Sequence, residues 1–202
     1  VKGDKTVQIR GGSGLFTGRF PFVWPGNAIG NPFTGYYNAT AKDFRWPQIW
    51  RSNLGVDYKL PSNTVLTVDV AYTEDVHAMM VRDYGLGTPT GQLNTGTGDH
   101  RAVYQTADKG TTSTYVFTNA NTGYSFNASF QVQQTFGKGY FLMGSYNYRV
   151  AKDASSISAE ISGDAFARNP VSGNANIARN STSLYGNTHR FVLAGIKRLD
   201  YG

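Results

Sequence analysis

The chain contains no cysteine, which removes disulfides, thiolate metal sites and cysteine nucleophiles at once. Charge is scarce too: Asp, Glu, Lys and Arg make up 16% of the 202 residues, against roughly 25% in soluble domains. No stretch approaches the roughly 20 apolar residues of a membrane-spanning helix. That absence leaves a membrane open, because a β-strand spans with about 10 alternating residues. Histidine is limited to His77, His100 and His189, too far apart in sequence to suggest a metal site or a triad. The chain also lacks a starting Met, a signal peptide and an export segment, so it is expected to be an internal piece of a larger protein.

What remains is aromatic, glycine-rich and mildly basic. Tyr, Phe and Trp reach 14%, Gly contributes 24 residues, and the net charge is +6. The basic residues (Lys2, Lys5, Arg10, Arg19, Lys42, Arg45 and Arg51 among them) never fall three together. Dispersed cations suit a water-filled lumen or contact with anionic lipid headgroups better than a nucleic-acid track, so no nucleic-acid partner is expected.

Period-two alternation is the main signal. In Gly123–Phe136, Tyr124, Phe126, Ala128, Phe130 and Val132 alternate with Ser125, Asn127, Ser129, Gln131 and Gln133. Successive side chains of a strand point to opposite faces, so one face is apolar and the other uncharged and hydrogen-bonding. Six such strands are expected: Thr6–Phe16, Gln48–Leu60, Thr64–Val81, Gly123–Phe136, Tyr140–Ala151 and His189–Leu199. The last alternates too weakly to assign its faces. Short turns at Pro61-Ser62-Asn63 and Gly137-Lys138-Gly139 alternate with long stretches at about Thr17–Trp46, Arg82–Thr114 and Lys152–Asn187. The second of these, full of Gly and Thr, reads as a mobile, solvent-facing loop.

All three long loops then share one side of the sheet. The expected fold class is all-β, part of a large antiparallel transmembrane barrel with short periplasmic turns and long extracellular loops. Tyr58, Tyr72, Tyr140, Tyr146 and Tyr148 suit a headgroup-level girdle, apolar in the ring and wet at the hydroxyl. By alternation the lumen-facing candidates are Arg51, Asn53, Asp57, Thr67, Asp69, Asn127, Gln131, Asn147 and Arg149. The loop aromatics Phe22, Trp24, Phe33, Tyr36 and Tyr37 are candidates for holding a ligand. About eight strands are needed to close a barrel. Six in lipid would leave unpaired edges, so further strands are expected on both sides.

Catalytic signals are weak. Asp69 and Asp75 fall on one strand face, yet paired carboxylates are ordinary in a wet pore. Gly11-Gly12-Ser13-Gly14 lacks the lysine and the helix of a phosphate-cradling loop. The expectation is no enzyme, no catalytic residue, no metal and no cofactor.

Several stretches together carry a family resemblance. They are Gln8-Ile9-Arg10-Gly11-Gly12-Ser13-Gly14-Leu15-Phe16-Thr17-Gly18-Arg19 with Pro21-Phe22-Val23-Trp24, and Trp46-Pro47-Gln48-Ile49-Trp50-Arg51-Ser52-Asn53-Leu54-Gly55-Val56-Asp57 with Lys59-Leu60-Pro61. Asn121-Thr122-Gly123-Tyr124-Ser125, Ala151-Lys152-Asp153, Arg168-Asn169-Pro170-Val171 with Asn174-Ala175-Asn176, and His189-Arg190 complete the set. In this order they resemble the barrel of Oar-like TonB-dependent receptors of Bacteroidota and related bacteria.

The resemblance implies a 22-stranded barrel with an N-terminal plug in the bacterial outer membrane. Residues 1–202 would be about six strands of it, without the plug, the TonB box or the closing strand. Implied partners are outer-membrane lipid, the TonB complex through the missing plug, a surface lipoprotein and a ligand whose identity does not carry over. Two rival functions stand beside transport: a surface protein for adhesion or partner docking, and a soluble carbohydrate-binding β-sandwich.

Overall fold

Where the sequence alternates, the backbone is extended. The computed structural model of the chain describes residues 6–19, 22, 23, 25, 26, 37–94, 96, 98, 100–104, 113–137, 139–156, 159, 161–171 and 173–199. Its strands are β1 (Val7–Thr17), β2 (Tyr37–Thr40), β3 (Gln48–Lys59), β4 (Thr64–Asp75), β5 (Ala78–Asp83) and β6 (Gly91–Gln92). They continue with β7 (Ala102–Val103), β8 (Thr114–Ala120), β9 (Gly123–Phe136), β10 (Tyr140–Asp153), β11 (Ser181–Thr182) and β12 (His189–Lys197). A short helix, α1 (Ser162–Ala167), lies between β10 and β11.

The long strands form one wall in the order β1-β3-β4-β9-β10-β12, antiparallel at every step, with β11 adding two residue pairs on β10. Its register fixes the faces. Ile9, Val56, Val68, Phe130, Tyr146 and Phe191 form one row across the sheet. The adjacent row, Arg10, Gly55, Asp69, Ser129, Asn147 and Arg190, projects to the other face. β12 therefore acquires its facing from pairing with β10: Phe191 and Leu193 join the apolar side, and Arg190 the polar side.

Two tight connections close the hairpins. β3 passes to β4 through residues 60–63, with Asn63 in the left-handed region at φ 59°. Asn tolerates that region better than most residues. Gly139, at φ 75°, ends the β9–β10 turn with its Cα against the Arg198 carbonyl, where an added Cβ would lie 3.0 Å from that oxygen.

At the other end the wall gives way to a second layer. The expected single strand Thr64–Val81 divides in two, because the Val76 and His77 N–H groups both donate to the Gln48 carbonyl, at 2.9 and 3.1 Å. Two residues opposing one make a bulge, which bends the strand and shifts its pairing. β5 then leaves the wall and pairs with β8, while β2 from the first long loop joins β8 on its other side, in parallel.

Among the described residues this three-stranded sheet holds most of the buried apolar side chains. On one face Val81 and Phe117 pack against Ala165 of α1, with Phe44, Tyr115 and Phe166 around them. On the other, Met80 and Ala120 meet Ala154, with Ala178 alongside. The expected mobile, solvent-facing loop Arg82–Thr114 is thus anchored at both ends in a core, and Asp83 is 5% exposed.

Two asparagines clasp the layer together. Asn176 accepts from the Asp83 N–H at 2.8 Å and donates to the Asp83 carbonyl at 2.7 Å. Asn119 makes the same pair of bonds with the Arg45 backbone, at 2.6 and 2.8 Å. Each amide satisfies backbone groups as a neighbouring strand would. All three long loops meet here as one packed cap.

Candidate functional site

The wall's two faces differ chemically across its central rows. Ile9 is 70% exposed, Phe191 78% and Leu193 86%, and no second sheet covers this face among the described residues. An exposed apolar surface of that extent marks contact with lipid or another protein. A soluble sandwich would bury it.

On the opposite face the register collects all nine polar positions singled out by alternation. Arg51, Asn53 and Asp57 come from β3, Thr67 and Asp69 from β4, Asn127 and Gln131 from β9, and Asn147 and Arg149 from β10. Two of them, Asp57 and Asp69, hold Arg10, and a third, Thr67, supports Asp57. Arg10 Nε donates to Asp57 at 3.0 Å, and its two Nη atoms donate to the Asp69 carboxylate at 2.5 and 2.9 Å. Thr67 Oγ1 donates to Asp57 at 2.7 Å. Gly55 lies beneath this network; an added Cβ would collide with the Asp69 carboxylate and the Arg10 guanidinium, so the absent side chain makes room for the bridge.

A second group lies further along the sheet. Asn147 Nδ2 donates to Asn127 Oδ1 at 2.9 Å. These asparagines line an open cleft of about 460 Å³ with Thr67, Asp69, Gln131 and Arg149. Arg51 stands apart, near Gly12, Phe16 and Ile49.

Four further residues line the cleft: Ser129 and Ser145, which alternation puts on the hydrogen-bonding face, and Asn187 and Arg190, which it does not place. Arg190 has no facing from sequence because β12 alternates weakly; its facing comes from the pairing with Asn147. Alternation in β1 puts Arg10 with Gln8 on the polar side, but its partners are 47 and 59 residues away, beyond the reach of any local pattern.

Of the loop aromatics, Phe22 and Tyr37 are exposed, and Phe22 sits edge-on to Trp46 with ring centroids 6.2 Å apart. Trp24, Phe33 and Tyr36 lie outside the described residues. Asp69 and Asp75 share the polar face but stand six residues apart, about 20 Å along the strand, too far to act as a pair. His77 lies at the bulge, 3.4 Å from Asn121, and His189 bonds the Tyr146 hydroxyl at 2.8 Å. Among the described residues no group of three or more His, Asp or Glu is placed to hold a metal ion.

The aromatic belt is only partly as expected. Tyr58 and Tyr140 lie towards the turn end and Tyr72 towards the loop end, where it stacks on Tyr124 at 6.3 Å. Tyr146 instead sits mid-strand opposite Phe130, because the register places it in the central apolar row.

The model of a family described as outer membrane beta barrel domain matches residues 3–202. No curated protein and no solved structure matches the chain.

Proposed function

We propose, since the chain belongs to the outer membrane beta barrel domain family, that it forms a wall segment of a TonB-dependent receptor carrying a ligand across the outer membrane. The observation that carries this reading is the division of one sheet into an uncovered apolar face and a hydrogen-bonding polar face. In the bacterial outer membrane the apolar rows meet acyl chains and the polar rows enclose water. Tyr140 supports that depth assignment: Lys197 Nζ lies 3.6 Å from its ring centroid, a cation and an aromatic together at the turn-side boundary.

The short turns then face the periplasm, and the cap stands outside the cell. Among the described residues β1 and β12 each have a wall neighbour on one side only. In lipid those edges need partners, which further strands of a larger barrel supply. The similarity to Oar-like receptors adds the plug, through which the TonB complex would act, and a surface lipoprotein would meet the cap.

A test separates transport from its rival. With a labelled candidate ligand on whole cells, accumulation is expected to stop when an uncoupler collapses the protonmotive force, while surface binding continues. Binding with no energised accumulation of any ligand would favour docking instead. The rival has its own support, since three loops already packed into one layer make a ready platform. Deleting residues 17–46 is a poor discriminator, because it removes β2 and Phe44 from the cap core. Single substitutions at exposed Phe22 and Tyr37 avoid that damage.

A further inference from the structure

Arginines on the polar face fall into two kinds. Arg10 is held between Asp57 and Asp69, a group that carries one net negative charge. Arg149 and Arg190 have no carboxylate at ion-pair distance among the described residues. Asn147 is the register partner of Arg190, so Arg149 is its diagonal neighbour, roughly 7–8 Å away at the backbone. Both line the 460 Å³ cleft, a volume within the range of small-molecule sites. The acid that lines it, Asp69, has both oxygens engaged by Arg10. Two arginines without a carboxylate partner therefore share a cleft whose one charged neighbour is the Arg10–Asp57–Asp69 group, so positive charge stays in excess there.

Those groups both donate and accept. The Asn147–Asn127 bond leaves the Asn127 amide protons and the Asn147 carbonyl oxygen unspent, beside the Ser129 and Ser145 hydroxyls. Val192 brings an apolar side chain from this face; Tyr146 borders the cleft from a position whose side chain projects to the other face. β9 and β10 are paired on both sides, and in the barrel a further strand would cover the outer edge of β12, so the cleft would offer a peptide no free strand edge; it has no ladder of stacked aromatics for a nucleic acid.

The geometry points to a binding subsite for a small polyhydroxylated anion, an acidic saccharide whose carboxylate or sulfate is forked by Arg149 and Arg190 and whose hydroxyls meet the amides. This rests on the reading that the polar face encloses water.

Purified whole protein in detergent, titrated with digalacturonate and with maltose, tests it. Digalacturonate is expected to bind at least tenfold tighter than maltose, with an affinity that falls as salt rises. Arg149→Gln and Arg190→Gln should each weaken it about tenfold, and Arg149→Lys much less, in line with the worth of one charge-assisted bond. Maltose binding should not change in any of them, and Lys59→Gln should behave as wild type. Retained heat-modifiable gel mobility confirms that each variant is folded.

Absence of binding, equal binding of the two sugars, or a double glutamine variant as tight as wild type would overturn the proposal. So would tetraglutamate binding with the same arginine dependence. Energised uptake with no arginine-dependent binding would contradict this subsite alone. Arginine-dependent binding with no energised uptake would contradict transport and leave the subsite standing.

Discussion

Replacing Phe117 with Ala is expected to cost the cap about 3–5 kcal/mol while leaving the wall's ladder in place. Phe117 is fully buried, in a cluster with Phe44 from the first long loop and Ala165 and Phe166 from the third. Its backbone carbonyl accepts from Ala41 at 2.9 Å, and across the β5–β8 ladder its partner is Val81. The cavity left by the ring would lie between Ala165, Val81 and Phe44, in the cluster that joins α1 to the three-stranded sheet. Hydrogen exchange reads the result residue by residue. Protection of β2, β5 and β8 should fall by about two to three orders of magnitude, given about 1.4 kcal/mol per tenfold, whereas β9 and β10 hold theirs. A uniform fall across both layers would mean that the cap and the wall unfold as one unit.

The second large effect belongs to the wall. Phe130→Arg places a cation in the middle of the apolar face, between Val68 and Tyr146. At the bilayer midplane the cost is about 2–4 kcal/mol. Ser129→Arg, one residue away but on the face that meets water, should cost under about 1 kcal/mol. Denaturant unfolding of the protein refolded into lipid vesicles measures both. The expected signature is a clear difference between adjacent positions, and equal costs would contradict opposite solvents on the two faces.

Much of the wall was legible from sequence because one half-buried face leaves a period of two, and all six long strands sit where that period runs. Turn chemistry located the hairpins for the same reason: residues 60–63 and 137–139 are short and carry Asn or Gly where the backbone needs them. The cap was hidden because β5 and β8 are covered on both faces. Ala78-Met79-Met80-Val81 and Tyr115-Val116-Phe117-Thr118 consequently show no alternation to read. The bulge at Val76 and His77 falls inside a pattern that continues through it, so sequence alone joined β4 to β5. The parallel pairing of β2 with β8 spans some 77 residues and has no local signature.

The site followed the same division. Positions on strong strands were found by parity, as with Asn127, Gln131 and Asn147. The relations between strands were not, and they decide the chemistry. Arg10 and Arg190 carry similar side chains on one face, yet one is held between two carboxylates and the other faces a cleft. Only the register separates them.

Because the chain has no native thiol, single cysteines at positions 129 and 130 can each carry a label without background from this chain. Bilayer-borne quenchers should strongly dim a fluorophore at Phe130→Cys and spare one at Ser129→Cys, while a water-soluble thiol reagent should show the reverse preference. Equal quenching at the two sites, or reagent access to position 130 alone, would contradict the assignment of one face to acyl chains and the other to water.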